Sequence, residues 1–446
     1  LGTVPTQSQR AVFVTKPFRV FRASHLFACN DAGISSVIED GAVVADVENE
    51  SDVSSVIAED GVVARIGIEL AEIANQVSFV GRFSDLNLPA NADNVTDLGD
   101  GMILPGLVNT HTHLEFSSLE HPLGERGIEF TEWIRLVVAE RAGGNADEKR
   151  MAIQQGLRFA AETGTALLGE IATMPCVRED YHLDDGPVAT VFLEQLGRSA
   201  AALPGHQSAL QEVLAWNAMA HKDQTQAGAS PHAPYSVGNE LLDQMLRQAN
   251  HARHASVAMH LAETLQEREL LENLSGPFVE LLKDFGVWEP STFEPRHSIL
   301  SILEKLSTCD RSLVIHGNYL TAQELDFIAE QRSMSIVYCP RTHNFFGHPK
   351  YPLDEMLKRG INVAVGTDSC ASNPDLCLFA ELRHIAREFP QLSAESILRM
   401  GTVNGAKALG RNSNQFGKLS TGSRHFAFVP RPDGHSEDAW SDWIFA

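Results

Sequence analysis

The residues able to do chemistry in this 446-residue chain stand at the ends of short apolar runs. Asn109-Thr110-His111-Thr112-His113 closes the run Met102–Val108. Two histidines two apart on a strand point to one side, so their imidazoles can converge on one ion; a hydrogen-bonded core pair is the plain alternative. Val257-Ala258-Met259 ends in His260-Leu261-Ala262-Glu263, Leu313-Val314-Ile315 ends in His316, and Val363-Ala364-Val365-Gly366 ends in Thr367-Asp368. Ser230-Pro231-His232 closes a further run. Imidazoles with a carboxylate and no thiolate suit one divalent metal ion, zinc first and ferrous iron second, rather than copper, calcium or magnesium. Such an ion lowers the pKa of bound water towards ~7 and makes hydroxide available at neutral pH. Glu263, three residues past His260, is placed to sit over that water, although an acid there can simply cap the next helix. Asp368 serves equally as a metal or water contact and as a helix N-cap. His316 and His232 suit substrate contact or proton transfer. Glu115 shares the parity of His111 and His113, so it either faces the pocket as a substrate-binding group or stands behind it. His221, His251, His254 and His384 lie in helical or loop stretches and read as solvated.

Positioning these groups requires parallel strands whose ends share one rim. Candidate strands are Met102–Thr110, Ala166–Ile171, Ala189–Leu196, Ala227–Ser230, Ser256–His260, Ser312–His316, Ser335–Cys339 and Asn362–Thr367. Helical stretches such as Asp147–Glu162, Asn239–His251, Thr321–Gln331 and Asp375–Glu388 lie between them. Eight strands alternating with helices over about 300 residues predict an α/β fold with a (β/α)8 TIM-like barrel, whose reactive residues sit at the C-terminal strand ends. A His or Asp closes five of the eight, which scatter would not produce. Short β-type runs at Phe18–Cys29, Gly41–Val47 and Val56–Gly67, parted by turns at Asp31–Gly33 and Asp60-Gly61, are matched late in the chain by Gly417–Leu419 and His425–Val429. They predict a small β-sandwich formed by both termini, residues 1–101 plus 411–446, flanking a barrel of residues 102–410. The stretch Gly276–His297, with Trp288, reads as an insertion near the site.

Composition narrows the partners. The net charge of −23, from 35 basic and 58 acidic residues, repels phosphate backbones and excludes a nucleic-acid partner. No run approaches the ~20 apolar residues of a membrane span, and Leu1–Gln9 reads as a frayed tail lacking the basic flank and apolar centre of a signal peptide. Six scattered cysteines without a Cys-x-x-Cys pair read as reduced thiols of a cytoplasmic protein. The expected partner is a small heterocyclic molecule, and self-association into a homo-oligomer is left open.

Five ordered motifs resemble the amidohydrolase superfamily: Pro105–His113, Pro231–Ser236, His260–Thr264, Ile315–Gly317 and Gly366–Asn373. Within it they are similar to the branch of cytosine deaminases, S-adenosylhomocysteine/methylthioadenosine deaminases and triazine hydrolases. The resemblance extends to Thr402–Leu409, a helix motif usual in that branch. It implies one metal on His111, His113, His260 and Asp368. It further implies that Glu263 shuttles a proton from water to a ring nitrogen and that His316 polarises the attacking water or the oxyanion. Asp368 would accept the water's proton, His232 would touch substrate, and ammonia would leave. Relatives with two metals carry a lysine at the end of strand four, and Ala227–Tyr235 contains none. Glu115-Phe116-Ser117 and Cys339–Gly347 resemble deaminases of aminodeoxyfutalosine, an adenosine derivative, which implies carboxylate or ribose contacts for Arg341 and His343; a solvated or salt-bridged residue is the plain alternative for Arg341. Gly422–Phe426 departs from the branch's usual acidic segment. Amide- or chloro-hydrolysis on another heterocycle, an inactive scaffold of the same fold, and a helix bundle using His260 and Glu263 as an i,i+3 pair are the competing readings.

Overall fold

The structure is a computed structural model that describes residues 18–29, 35–46, 53–56, 64–68, 76–86, 88, 94–184, 186–199, 203–219, 225–411, 415–423, 425–435 and 439–446. The tail Leu1–Gln9, the turns at Asp31–Gly33 and Asp60-Gly61, and His221 lie outside the described residues. The terminal strands are β1 (Phe18–Cys29), β2 (Ser35–Asp46), β3 (Val53–Val56), β4 (Ala64–Ile68), β5 (Gln76–Arg82), β6 (Val95–Asp97) and β7 (Gly101–Pro105). The central strands are β8 (Leu107–Thr112), β9 (Thr165–Ala172), β10 (Val188–Gln195), β11 (Gln226–Pro231), β12 (Val257–Leu261), β13 (Ser312–His316), β14 (Met334–Tyr338) and β15 (Val363–Val365), and β16 (His425–Pro430) follows.

Strands β8 to β15 pair in sequence order, all parallel, as one eight-stranded sheet. Every residue of β8, β9, β12, β13, β14 and β15 is buried, because helices cover one face and the barrel interior the other. Alternate positions divide cleanly. Val108, Leu167, Phe192, Ala258, Ile315 and Val337 form one cluster. Their neighbours Leu107, Leu168, Val191, Met259, Val314 and Ile336 pack instead with helix residues such as Leu157 and Met245. The short β15 meets β8 mainly through side chains. Asn109 Nδ2 donates to Thr367 Oγ1 (2.8 Å), Thr367 N to Asn109 Oδ1 (3.1 Å), Thr110 Oγ1 to the Val365 carbonyl (2.8 Å) and Asp368 N to the His111 carbonyl (3.0 Å).

The terminal segments build a second eight-stranded sheet in the order β3-β4-β16-β7-β1-β2-β5, with β6 beside β1. Strand β16 runs antiparallel between β4 and β7, so both ends of the chain share one sheet. Its two faces follow period 2: Phe426 and Phe428 join the sheet's own core with Phe21 and Ile103, while Ala427 and Val429 pack with Met102 and Leu104 in the large core shared with the barrel helices.

Three expectations change. The run Met102–Thr110 is not one strand: Gly101–Pro105 belongs to the terminal sheet, and the barrel strand starts at Leu107. Proline cannot donate to a ladder, and a Cβ at Gly106 would lie 2.5 Å from Ala166 Cβ, so the chain crosses from sheet to barrel there. Val56–Gly67 is likewise two antiparallel strands, with Val53 opposite Ile68. Gly417–Leu419 is a bent, irregular segment rather than a strand, with Gly417 at φ +72°. Among the described residues, no helix is long and apolar enough to cross a membrane.

Candidate active site

The end of β8 delivers His111 and His113 through a local irregularity. Strict alternation from the inward Val108 would send His111 outward, but the register with β9 shifts between Asn109 and Thr112. The two imidazoles then stand 4.9 Å apart, centroid to centroid, with His260 at 5.0 Å and His316 at 5.7 Å from His111. Asp368 Oδ1 lies 3.5 Å from His111 Nε2 and 3.7 Å from His113 Nε2. Buried imidazoles ordinarily have hydrogen-bond partners, yet both ring nitrogens of His111 and Nδ1 of His113 have none. His260 Nδ1 is 2.9 Å from the His232 carbonyl, which fixes its proton there and leaves Nε2 as a lone pair. Burial lowers His113 well below the usual imidazole range and His260 to about 3, so both are neutral. Burial works against the charge of Asp368, but the neighbouring imidazoles of His111, His316 and His113 hold its carboxyl well below the ordinary value. Neutral imidazoles around an ionised carboxylate, with orphaned nitrogens, are a donor set that fits a divalent cation.

Glu263 stands on the other side of His316, its Oε1 3.3 Å from Nε2, while Asp368 Oδ2 is 4.0 Å from the same nitrogen. Burial, then the nearby charges of Asp368 and Glu267, raises Glu263 well above the ordinary carboxyl value, and burial lowers His316. Both shifts favour the neutral form of the pair. Three backbones here adopt left-handed conformations: Ala262 at φ +53°, His316 at φ +68° and Asp368 at φ +62°. Non-glycine residues reach that region only when their surroundings hold them there. Tyr351 donates to the His316 carbonyl (2.6 Å), Asn318 to the Glu263 carbonyl (3.0 Å), and the amides of Ala262 and Glu263 each donate to the Glu267 carboxylate (3.0 Å). Helix capping falls to other groups. Thr264 caps the Leu265–Asn273 helix, and the helix after Asp368, Leu378–Glu388, begins at Cys377.

His113, His232, His260, Glu263, His316 and Asp368 all line one cavity of about 650 Å³. Helix α1 (Phe130–Gly143) gives it Phe130 and Trp133, and the Gly276–His297 stretch supplies Leu281 and Trp288 from a short helix and the turn after it. In His232, Nδ1 is 2.6 Å from Ser236 Oγ; that hydroxyl donates to the Ala233 carbonyl, so Nδ1 carries the proton and Nε2 is left as an acceptor. Burial and Arg141 lower His232 to about 3. Its Nε2 lies 3.8 Å from Glu194, a fully buried acid absent from the sequence expectations.

Two expected substrate contacts are not on this wall. Glu115 falls in a 3-10 turn, Leu114–Phe116, where the strand and its parity have ended; it accepts from Arg141 (2.7 Å) and Thr173 (2.9 Å) and faces a neighbouring cavity. Arg341 is held by Asp375 (2.6 Å) and Glu381 (2.5 Å), 34 and 40 residues along the chain, so its donors are consumed before any ligand could meet them. The ring of His343 packs among Tyr338, His348 and Tyr351. The arginines that do line the cavity are Arg141 and Arg198. No motif announced either, since each reaches the wall from a loop or helix whose direction depends on the fold.

Comparison with known proteins agrees with this architecture. Over 394 residues the chain is 26% identical to a 5-methylthioadenosine/S-adenosylhomocysteine deaminase of Pyrococcus furiosus, covering 84% of this chain and 82% of the relative. It is 27% identical over 319 residues to an aminodeoxyfutalosine deaminase of Nitratiruptor, covering 70% and 75%. The fold is shared with the Helicobacter pylori aminofutalosine deaminase solved with methylthio-coformycin, at TM-score 0.68 and 22% identity over 91% of this chain and 90% of the other. It is also shared with a zinc-bound adenosine deaminase of Xanthomonas campestris, at TM-score 0.66 and 20% identity over 96% and 88%. The sequence pattern of the amidohydrolase family matches residues 102–424, from the strand that crosses into the barrel to the threshold of β16. By that match, spanning both the histidine pair of the first barrel strand and the aspartate of the last, the chain belongs to the amidohydrolase family.

Proposed function

We propose that the protein is a metal-dependent aminohydrolase that removes the amino group of an adenosine derivative or related N-heterocycle and releases ammonia. One observation carries this reading: Glu263, whose carboxyl burial raises, and Asp368, whose carboxyl the surrounding imidazoles lower, flank His316 in a cavity that His113, His232 and His260 also line. Two carboxyl groups whose surroundings drive them to opposite protonation states supply an acid and a base at one centre. His111, His113, His260 and Asp368 would hold the cation, zinc in the first instance with ferrous iron as the alternative. When bound, such an ion activates water for attack at neutral pH. Asp368, as the ionised group, takes the proton from the attacking water. Glu263 delivers its proton to the ring nitrogen, so that the amino-bearing carbon becomes tetrahedral; it then moves the proton of the hydroxyl now on that carbon to the departing amine as the carbonyl forms, and the proton held by Asp368 restores Glu263. His316 orients the attacking oxygen, and His232 Nε2 accepts a hydrogen bond from the substrate. The apolar wall around Phe130, Trp133 and Trp288 excludes bulk water, which strengthens each of these interactions. The curated deaminase relatives support an adenine nucleoside as the substrate class. Cys176, Cys309, Cys339, Cys370 and Cys377 are free thiols, which supports a reducing compartment such as the cytoplasm.

The test is ammonia release across a panel of adenosine derivatives, triazines and cyclic amides, with metal content measured on the same protein. Glu263→Gln is expected to lose at least ~100-fold in kcat while keeping its metal, since general acid–base groups contribute on that scale. Full activity in that variant overturns the role of Glu263. Chloride release or ring opening without ammonia overturns the deaminase reading in favour of another hydrolysis, and absence of bound metal favours an inactive scaffold.

A further inference from the structure

We propose that Glu170, which does not line the cavity, is a positioning residue that holds His113 in its ligating direction and thereby sets how tightly the site binds its cation. That role presupposes the metal reading of His111, His113, His260 and Asp368, and it belongs to the layer behind those ligands.

Glu170 lies on β9 between Leu168 and Ala172, which pack against the helices, and its side chain is buried with them. Its partner across the ladder is Thr112, the last residue of β8, directly after the register shift at the histidines. Thr112 Oγ1 donates to Glu170 Oε2 (2.7 Å), and the Leu114 amide lies 3.1 Å from each carboxyl oxygen. Among the described residues these are all of its hydrogen bonds, and the two donors flank His113. The charge of Lys149 reaches Glu170, but its ammonium is engaged by the carbonyls of Thr173 (2.6 Å) and Pro175 (3.0 Å) and by Thr173 Oγ1 (2.8 Å). Glu170 therefore has no ion pair among the described residues.

Burying a carboxyl is unfavourable, and an apolar side chain would fill the same space without desolvating one. An apolar side chain could not accept from Thr112 and Leu114 together. The ligands show why that matters. A metal-bound imidazole is ordinarily oriented by a hydrogen bond at its other nitrogen. In His260 that bond runs from Nδ1 to the His232 carbonyl, whereas Nδ1 of His113 is buried without a partner. His111 also lacks a ring partner, but its carbonyl accepts from the Asp368 amide (3.0 Å). His113 stands past the last residue of β8, just before the turn Leu114–Phe116. The clamp on its two neighbours supplies from behind the orientation that its ring does not receive.

The test is zinc affinity of the full chain, measured by competition with a chromophoric chelator. Glu170→Leu is expected to raise the zinc Kd about 10- to 100-fold, the usual consequence of removing a group that orients a metal ligand. Glu170→Gln should keep most of the affinity, because its amide can accept from Leu114 and donate to the Thr112 hydroxyl. Thr112→Val, which removes one half of the clamp at nearly constant shape, should fall between wild type and Glu170→Leu. With zinc saturating, KM should match wild type in all three, since Glu170 and Thr112 do not line the cavity. A merely structural role predicts a lower melting temperature of the metal-free protein at unchanged zinc Kd. That result overturns the proposal, and Thr112→Val can deliver it should Glu170→Leu fail to fold. A wild type that binds no zinc overturns the metal reading and this role with it; zinc held by wild type and variants alike overturns this role alone.

Discussion

At the scale of single residues, burial sets the chemistry by deciding which groups hold protons. Desolvation lowers His113, His260 and His316 and raises Glu263, while the imidazoles around Asp368 pull its carboxyl the other way. Glu267 shows the same force acting on a positioning group. Its carboxylate accepts from the amides of Ala262 and Glu263, yet burial outweighs those bonds and pushes it up to about 7. An acid whose folded pKa exceeds its unfolded value of about 4.3 binds more protons folded. Its contribution to stability is thus most favourable at low pH and falls as pH rises from about 4.3 to about 7, after which it levels. The change is on the order of 3 kcal/mol. Denaturant unfolding of wild type and Glu267→Gln across that window should show a wild-type decline that the variant lacks. A constant difference between the two curves would refute it.

At the scale of elements, what was legible from sequence followed from how parallel strands are built. Strands buried on both faces read as unbroken apolar runs, so their ends, and the His, Glu and Asp residues standing there, were visible without a structure. Side-chain direction beyond the strand end was not. Glu115 kept its parity in sequence but not in space, because β8 stops at Thr112 and a tight turn begins. The bulge that turns His111 inward had no signature either, and the expected pair emerged on the correct side through a device the pattern does not encode. For Arg341 a substrate contact and a salt bridge were equally readable, because the partners that hold it arrive from the loop and helix after β15. It anchors that helix by satisfying the buried Glu381, which also accepts from Asn373 (2.7 Å). Removing one member of a buried ion pair strands the other charge, so Arg341→Met should cost about 3–5 kcal/mol. Thermal melting should report that loss, with KM unchanged in the protein that remains folded. A raised KM at undiminished melting temperature would return Arg341 to the substrate site.

For the whole molecule, the notable arrangement is that the ends of the chain share one sheet while the barrel lies between them. Strand β16 fills the gap between β4 and β7, and the buried Trp443 and Ile444 follow it. Truncation before His425 would expose two edges and remove the apolar residues Phe426, Ala427 and Phe428 from the core. Such a chain should be insoluble or rapidly digested in limited proteolysis, and a soluble, protease-resistant product would show that the barrel stands without the sheet.

The seam between β8 and β15 has a further consequence, for the order of events in synthesis. Asn109 and Thr367, which lock it, are 258 residues apart, and His111 and Asp368 sit beside them at the same seam. A nascent chain carries the histidine pair long before the aspartate leaves the ribosome, so a complete ligand set exists only after the most distant contact of the barrel has formed. A cation held across that seam would act as a clasp, tightening a closure whose loop entropy makes it the slowest to achieve. Uptake of metal would then mark the completion of folding, and scarcity of metal during growth would appear first as chains arrested with the barrel open.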